Sequence, residues 1–263
     1  IGMGPAGLFA AYLLAQRGYC PHIYERGRAV EERQQDVEDF WNGGALDPES
    51  NVQFGEGGAG TFSDGKLNTL VKDKFGRSRY VLETFVKFGA PEDILYVAKP
   101  HVGTDVLRDV ISRMRQEIIQ LGGTFHFSTK VTDLHIEDGR ISKIELNHKE
   151  WKDVSGVILA IGHSARDTFE MLYERKVPMM AKSFAVGMRV EHPQDMINES
   201  QYGRNADMTL LPTAAYKVTH QSSNGRGVYS FCMCPGGYVV NASSEEGRLA
   251  VNGMSYRSRD SKN

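Results

Sequence analysis

The chain is poor in cysteine, and its few cysteines do not form a disulfide pattern. Only Cys20, Cys232 and Cys234 occur among 263 residues, an odd number. Small secreted proteins that depend on disulfides usually carry more cysteines, in even numbers. A disulfide scaffold is therefore excluded, and the composition predicts a protein of a reducing, cytoplasmic compartment.

Long apolar runs and an excess of one charge are also missing. No stretch approaches the roughly 18 consecutive apolar residues of a membrane-spanning helix. The 31 lysines and arginines nearly balance the 33 aspartates and glutamates, which gives a formal net charge of −2. Without a basic block, we expect neither a nucleic-acid partner nor a membrane partner.

Glycine, in contrast, is abundant, and its first three occurrences have an informative spacing. Gly2, Gly4 and Gly7 form a G-x-G-x-x-G pattern directly before a helix-like run from Leu8 to Gln16. Such glycines allow a tight strand-to-helix turn, close approach of backbone amides to a pyrophosphate, and close helix–strand packing. The pattern predicts a dinucleotide-binding site.

An acidic residue follows at the distance that this site requires. Residues 20–24 read as a second strand, which ends in Glu25 and Arg26. A carboxylate roughly 20 positions beyond the glycines hydrogen-bonds the adenosine ribose in dinucleotide-binding units. We therefore expect Glu25 to contact a ribose.

Residues 51–66, NVQFGEGGAGTFSDGK, form a second glycine-rich segment. So much backbone without side chains favours a loop that lies against a flat or anionic ligand. The alternative is a flexible surface loop, although Phe54, Thr61 and Phe62 interrupt the glycines.

The middle of the chain predicts mixed α/β structure. Residues 28–41 are charged enough for a mostly solvated helix or loop, and Thr104 is the expected N-cap of an amphipathic helix that ends at Gly122. A strand at 124–128 and a β-meander over 130–146 follow, with a turn at 137–139. Residues 154–161 read as a buried parallel strand.

Beyond Pro178 the chain predicts short strands, at 184–190, 214–219 and 228–233, joined by glycine-rich turns. We divide the chain into a Rossmann-type dinucleotide-binding domain at 1–175, with an inserted β-meander, and a β-rich (α+β) substrate domain at 176–263. The fold class is α/β. The chain is expected to be truncated at both ends, because Ile1 directly precedes the first glycine and because residues 255–263 are polar and carry no helix or strand stop signal.

These residues resemble the FAD-dependent oxidoreductases of the glutathione-reductase type, and most closely the bacterial uncharacterised FAD-dependent dehydrogenase group. The resemblance rests on residues 51–66, on VILAIGHS at 157–164 and on FCMCPGG at 231–237. It implies FAD as the cofactor, with NAD(P)H as a candidate electron donor. It also implies a final FAD-binding segment that the sequence lacks.

The resemblance further implies that residues 57–66 lie near the isoalloxazine, that Val131 meets the adenine through its backbone, and that residues 160–162 close over the cofactor. The predicted cofactor-binding residues are Gly2, Gly4, Pro5, Ala6, Gly7, Glu25, Arg26, Arg33, Gly57, Gly58, Thr61, Lys66, Val131, Ala160, Ile161 and Gly162.

No acid–base constellation stands out, so the catalytic residues are unknown. Lys66 could stabilise a reduced flavin or be an ordinary exposed lysine, and the Cys232/Cys234 pair could be redox-active or only packed on one strand face. His163 could donate to a phosphate or simply begin a helix. No metal site is expected.

The sequence thus predicts an FAD-dependent oxidoreductase that transfers hydride or electrons between flavin and a small organic substrate. The alternatives are an NAD(P)-dependent dehydrogenase and a non-catalytic FAD-binding module.

Overall fold

The computed structural model describes residues 1–63, 65–67, 72–231 and 233–262 as a mixed α/β protein with small sheets. The chain separates into two compact units. The first comprises Ile1–Thr61, Arg108–Gly187 and Asn241–Ala250, and the second comprises Phe62–Leu107, Met188–Val240 and Val251–Asn263. The units alternate along the chain, whereas the predicted domains are continuous, and the domain boundary at residue 175 stays a prediction.

The first unit begins with a helix and two short parallel strands. Its elements in chain order are α1 (Pro5–Ala15), β1 (His22–Tyr24), α2 (Val30–Trp41), most of α4 (Thr104–Gln120), β2 (Thr124–His126), β3 (Val131–Glu137), β4 (Arg140–Leu146), β5 (Glu150–Asp153) and α5 (Arg166–Glu174). Strands β1 and β2 are parallel, with Ile23 opposite Phe125. Strands β3, β4 and β5 form an antiparallel meander.

The core of this unit lies under the meander. Tyr24, Val131, Leu134, Ile144, Leu146 and Leu172 form one buried cluster. Along β4 the buried residues Ile144 and Leu146 alternate with less buried ones, which places one face of that strand on the core. In β3, Val131 and Leu134 are both buried although they are three positions apart, and the register with β4 shifts between Val131 and Asp133. The meander is therefore a packed part of the first unit.

Helix α4 and the β3–β4 turn confirm two predictions. Val110, Ile111, Met114 and Ile118 are buried on one face of the helix, as the 3.6-residue period requires. Gly122, with a φ of +95°, follows its end. The hairpin turns at Asp138 and Gly139, which both have positive φ, as a two-residue turn needs.

Three local predictions are wrong. Thr104 is the first helical residue of α4, and its buried hydroxyl has no partner among the described residues, so its side chain does not cap the helix. Residues 154–161 are not a regular strand. Their described backbone bonds to other segments are few: Val154 donates to Ser142, and Ile1 pairs with Ile158 and Ala160. Residues 184–190 are largely exposed and pair with no described strand.

The second unit contains α3 (Arg77–Lys87), α6 (Gln194–Tyr202), β6 (Thr219–Gln221), β7 (Gly227–Tyr229), most of β8 (Tyr238–Asn241) and β9 (Val251–Met254). Strands β6 and β7 form an antiparallel hairpin, and β8 pairs with β9. The carboxylate of Asp73 accepts the backbone N–H groups of Arg77 and Ser78 and so caps α3. Short 3₁₀ helices occupy Ala59–Phe62 and Glu92–Leu95.

In the described part of the chain, no helix is both long enough and apolar enough to cross a membrane.

Candidate functional site

The glycine turn before α1 is shaped by contacts that allow no side chain at two of its three glycines. Gly2 has a φ of +88°, and a Cβ there would lie 2.5 Å from the carbonyl oxygen of Ala160. A Cβ on Gly7 would lie 2.0 Å from the carbonyl oxygen of Gly2. Gly2 therefore makes the turn and Gly7 allows α1 to approach it closely.

Gly4 differs from the other two glycines because a side chain there would not clash with the protein. A Cβ on Gly4 would meet only the Cα of Gly58, at the ordinary contact distance of 3.8 Å. Gly4 also lines the cavity described below. Its missing side chain thus leaves room for a ligand rather than for a neighbouring segment.

The first turn of α1 offers hydrogen-bond donors to that space. The backbone N–H groups of Gly4, Ala6 and Gly7 donate to no acceptor among the described residues, whereas the N–H of Leu8 already bonds the carbonyl of Gly4. A helix N-terminus carries positive partial charge and binds anions through such free N–H groups. These three donors fit a phosphate or pyrophosphate.

Glu25 holds the turn in place from the end of β1. One carboxylate oxygen accepts the N–H of Met3 at 2.7 Å, and the other accepts the N–H groups of Gly27 at 2.9 Å and Gly55 at 3.0 Å. The side chain is buried and also lines the cavity. The Oε2 atom, with one N–H partner, retains a lone pair for a ligand hydroxyl.

Arg33, predicted to bind the cofactor, lies outside the cavity wall and instead fixes the glycine-rich loop. Its fully buried guanidinium donates to the carbonyls of Asn51 at 2.9 Å, Glu56 at 2.5 Å and Val52 at 3.0 Å. Burial lowers the pKa of Arg33 to about 10, although Glu25, Glu56 and Asp36 favour its charged form. Helix α2 buries one face through Val30, Arg33 and Val37, while its other residues are partly or fully exposed, as the prediction of a mostly solvated helix requires.

The loop held by Arg33 lies against the glycine turn. The N–H of Gly57 donates to the carbonyl of Met3 at 2.8 Å, and a Cβ on Gly58 would lie 2.9 Å from the Cα of Gly4. Thr61, which belongs to the same loop, is fully buried. Among the described residues of the loop, several are buried and bonded, which does not fit the alternative of a flexible surface loop.

The glycine turn, the end of β1, the loop and residues 159–165 together enclose a cavity of about 580 Å³. This volume is typical of ligand sites. Of the predicted cofactor-binding residues, the cavity brings together Gly2, Gly4, Pro5, Ala6, Glu25, Arg26, Gly58, Val131, Ala160, Ile161 and Gly162. Gly7, Arg33 and Gly57 support its wall from behind, as described above, and Thr61 belongs to the same support.

An ion-pair cluster at this cavity was not predicted. The guanidinium of Arg26 holds both oxygens of Asp167 at 3.0 Å and bonds Glu49 at 2.6 Å. Lys130 pairs with the same two carboxylates. Burial alone would raise the pKa of Asp167, but hydrogen bonds from Lys130 and Arg26 outweigh it and lower that pKa to about 2. Arg26 also lies over the ring of Phe54, 4.0 Å from its centre.

Lys66 and Cys234, the two described catalytic candidates, lie in the second unit. The ammonium of Lys66 donates to the carbonyl of Met233, and its Nζ lies 4.0 Å from the Sγ of Cys234. Cys232 lies outside the described residues. The flavin-tuning role of Lys66 and the redox role of the cysteine pair stay predictions.

Glu56, in the loop, is a buried acid that sequence reasoning missed. Its Oε2 accepts the N–H of Val30 at 2.8 Å and pairs with Arg115 at 3.0 Å, while Oε1 has no partner among the described residues. Burial raises the pKa of Glu56 to about 7, with Glu31 acting in the same direction, while Val30, Arg115 and Arg33 oppose the change. The acid thus titrates near neutrality.

This titration gives a pH-dependent stability. Because the folded protein binds the Glu56 proton more tightly than the unfolded chain, stability falls as pH rises from about 4.5 to about 7. In Glu56→Gln, which is permanently neutral, this loss is absent. The free energy of unfolding of the variant, relative to wild type, should therefore increase by up to about 3 kcal/mol between pH 5 and pH 8. Urea titrations at both pH values measure it, and a constant difference would contradict the assignment.

Two comparisons relate this chain to known proteins. Residues 183–263 match the family model described as FAD-dependent protein, C-terminal domain-like. The chain is also 54% identical over 261 residues to an uncharacterized protein of Clostridium beijerinckii, covering 99% of this chain and 48% of that protein. The chain thus spans about half the length of the curated relative that it matches. The family match supports an FAD-related function.

Further cavity residues were not predicted to bind the cofactor, although Gln53, His163 and Ser164 lie in the two segments 51–66 and 157–164 that carry the resemblance. Their side chains come from separate segments: Gln53 from the loop, Lys130 from the start of the meander, and His163, Ser164 and Thr168 around the start of α5. Of these residues, only His163 has a predicted ligand contact from the sequence, as a possible donor to a phosphate. For His163 and Ser164, the signal in the sequence is that they directly follow residues 160–162, which are predicted to close over the cofactor.

Proposed function

We propose that this chain carries the FAD-binding site of an FAD-dependent oxidoreductase of the glutathione-reductase type, built on a Rossmann-type unit. The observation that carries the proposal is the cavity at the glycine turn, where free backbone donors and the Glu25 carboxylate converge. The similarity of residues 183–263 to the C-terminal domain of FAD-dependent proteins independently supports FAD as the ligand.

The described residues fit the two polar parts of a dinucleotide. The N–H groups of Gly4, Ala6 and Gly7 would hold the pyrophosphate, assisted by the dipole of α1. Glu25 would accept a ribose hydroxyl with its remaining lone pair on Oε2. When bound, FAD supplies the capacity for hydride or electron transfer. The protein contributes binding, orientation and exclusion of water.

The ion-pair cluster favours a dinucleotide without a 2′-phosphate. NADP sites accommodate that phosphate with an available arginine near the acidic residue. Here Arg26 and Lys130 are both engaged by Glu49 and Asp167, so the cluster has no net positive charge. This pairing supports FAD over NADP in the cavity. NAD(P)H as an electron donor at another site remains part of the proposal.

The remaining parts of the proposal concern the whole protein. Residues 176–263 would form part of a substrate domain, the substrate would be a small organic molecule, and the protein would act in the cytoplasm. No described residue is assigned to the chemistry of the substrate.

A spectroscopic experiment tests the proposal. The full-length protein, purified under native conditions, should show the absorbance bands of a flavin, and anaerobic NADH or NADPH should bleach them. A flavin that binds but that no reductant or substrate reduces would favour the non-catalytic FAD-binding module. A protein without flavin that takes up NAD but not FAD would favour the dehydrogenase alternative.

A further inference from the structure

A chain of hydrogen bonds at the cavity fixes the side chain of Gln53. Its Nε2 donates to the carbonyl of Ala242 at 3.0 Å. The amide orientation is thereby set, and Oε1 faces Ser164, whose Oγ lies at 3.2 Å. Since an amide oxygen can only accept, the single hydroxyl proton of Ser164 is used in this bond.

The position of that proton determines the tautomer of the neighbouring imidazole. The Oγ of Ser164 lies 2.6 Å from Nδ1 of His163. Because the hydroxyl of Ser164 donates its hydrogen bond to Gln53, it can only accept one from His163. Nδ1 therefore carries the ring hydrogen. In the neutral ring Nε2 is then an acceptor with a free lone pair. No described protein group bonds Nε2.

Gln53, His163 and Ser164 all line the same cavity. We infer that Nε2 of His163 accepts a hydrogen bond from an alcohol hydroxyl of the ligand, and that Ser164 and Gln53 are positioning residues that hold the ring in the accepting tautomer. The inference rests on the proposed function in one respect, since FAD carries such hydroxyls on its ribose and its ribityl chain.

This assignment reverses the hypothesis drawn from the sequence, in which His163 donates to a phosphate. An imidazole with its hydrogen on Nδ1 cannot donate from Nε2 while neutral. The hydrogen-bond donors to the phosphates are instead the backbone N–H groups at the start of α1. The cavity lining thus contains hydrogen-bond donors for the phosphates and an acceptor for a hydroxyl.

Nitrogen NMR of the full-length protein labelled with ¹⁵N-histidine tests the tautomer directly. The signals of His163 are assigned by their loss in His163→Asn. We expect the Nδ1–H form in wild type and a shift toward the Nε2–H form in Ser164→Ala. Ser142→Ala is the matched control, because Ser142 contacts His135 at 2.9 Å outside the cavity. It should leave His163 unchanged. An Nε2–H form in wild type would overturn the inference.

Titration with FAD separates the inference from the proposed function. Bound FAD should move the Nε2 signal of His163 but not that of His135, and Ser164→Ala should weaken FAD binding about threefold to tenfold. FAD that binds without moving Nε2 would overturn the inference alone. If FAD does not bind although the Nδ1–H form is present, the proposed function and the hydroxyl ligand are both overturned. Only the hydrogen-bond chain of Gln53, Ser164 and His163 would then be confirmed.

Discussion

Gly7→Ala is expected to destabilise the first unit by about 3 kcal/mol or more. The added Cβ would lie 2.0 Å from the carbonyl oxygen of Gly2. The Cβ would belong to α1 and the oxygen to the backbone of the turn, so the backbone itself must move. Overpacking costs about 1–3 kcal/mol and occasionally more, and so close an overlap with a backbone oxygen belongs at the upper end of this range. Urea unfolding followed by tryptophan fluorescence measures the loss, because Trp41 and Trp151 both lie in this unit.

The control for this substitution is Gly156→Ala. No described atom lies within 4 Å of a Cβ at Gly156, and its φ is not in the left-handed region. The variant should remain within about 0.5 kcal/mol of wild type. If Gly7→Ala were equally harmless, the close approach of α1 to the turn would be wrong.

Arg33→Met is expected to lower the free energy of unfolding by a similar amount, about 3 kcal/mol or more. The variant keeps an apolar stem but removes the donors to three loop carbonyls, at residues 51, 52 and 56. Each buried carbonyl left without a partner costs about 1–3 kcal/mol. Because the loop packs on the glycine turn, affinity for FAD should fall together with stability.

Arg28→Met provides the same change on the same segment without the buried contacts. Arg28 is nearly half exposed and pairs with Asp36 at 2.8 Å. An ion pair of this kind contributes up to about 1 kcal/mol. Unfolding midpoints of the two variants, measured side by side, should differ clearly. Equal midpoints would show that Arg33 does not hold the loop.

The features that the sequence predicts well are local. The turn at the three glycines, the apolar face of α4 and the two-residue turn at Asp138 depend on residues close together in the chain. Backbone freedom and helical period determine them whatever surrounds them. Most of the predicted cofactor-binding residues line the cavity at the glycine turn, and their role in binding stays a prediction.

The features that it misses depend on distant partners. Arg33 reads as one charge in a polar segment, yet its guanidinium is buried by carbonyls about twenty residues away. The pairing of Arg26 with Asp167 joins residues 141 positions apart. The apolar run at 154–161 has the composition of a strand, but among the described residues it bonds only Ile1 and, through Val154, Ser142. Tertiary contacts decide such cases, and no single-sequence pattern encodes them.

Whether FAD binds at the glycine turn is tested by its affinity for the full-length protein, compared between wild type and Gly4→Ala by equilibrium titration. A Cβ at Gly4 is tolerated by the fold but occupies the cavity beside the N–H groups that would bind the pyrophosphate. The account predicts unchanged stability and FAD binding weakened at least about tenfold, a loss of about 1.4 kcal/mol. Equal FAD affinity in the two folded proteins would place the cofactor elsewhere and contradict the account.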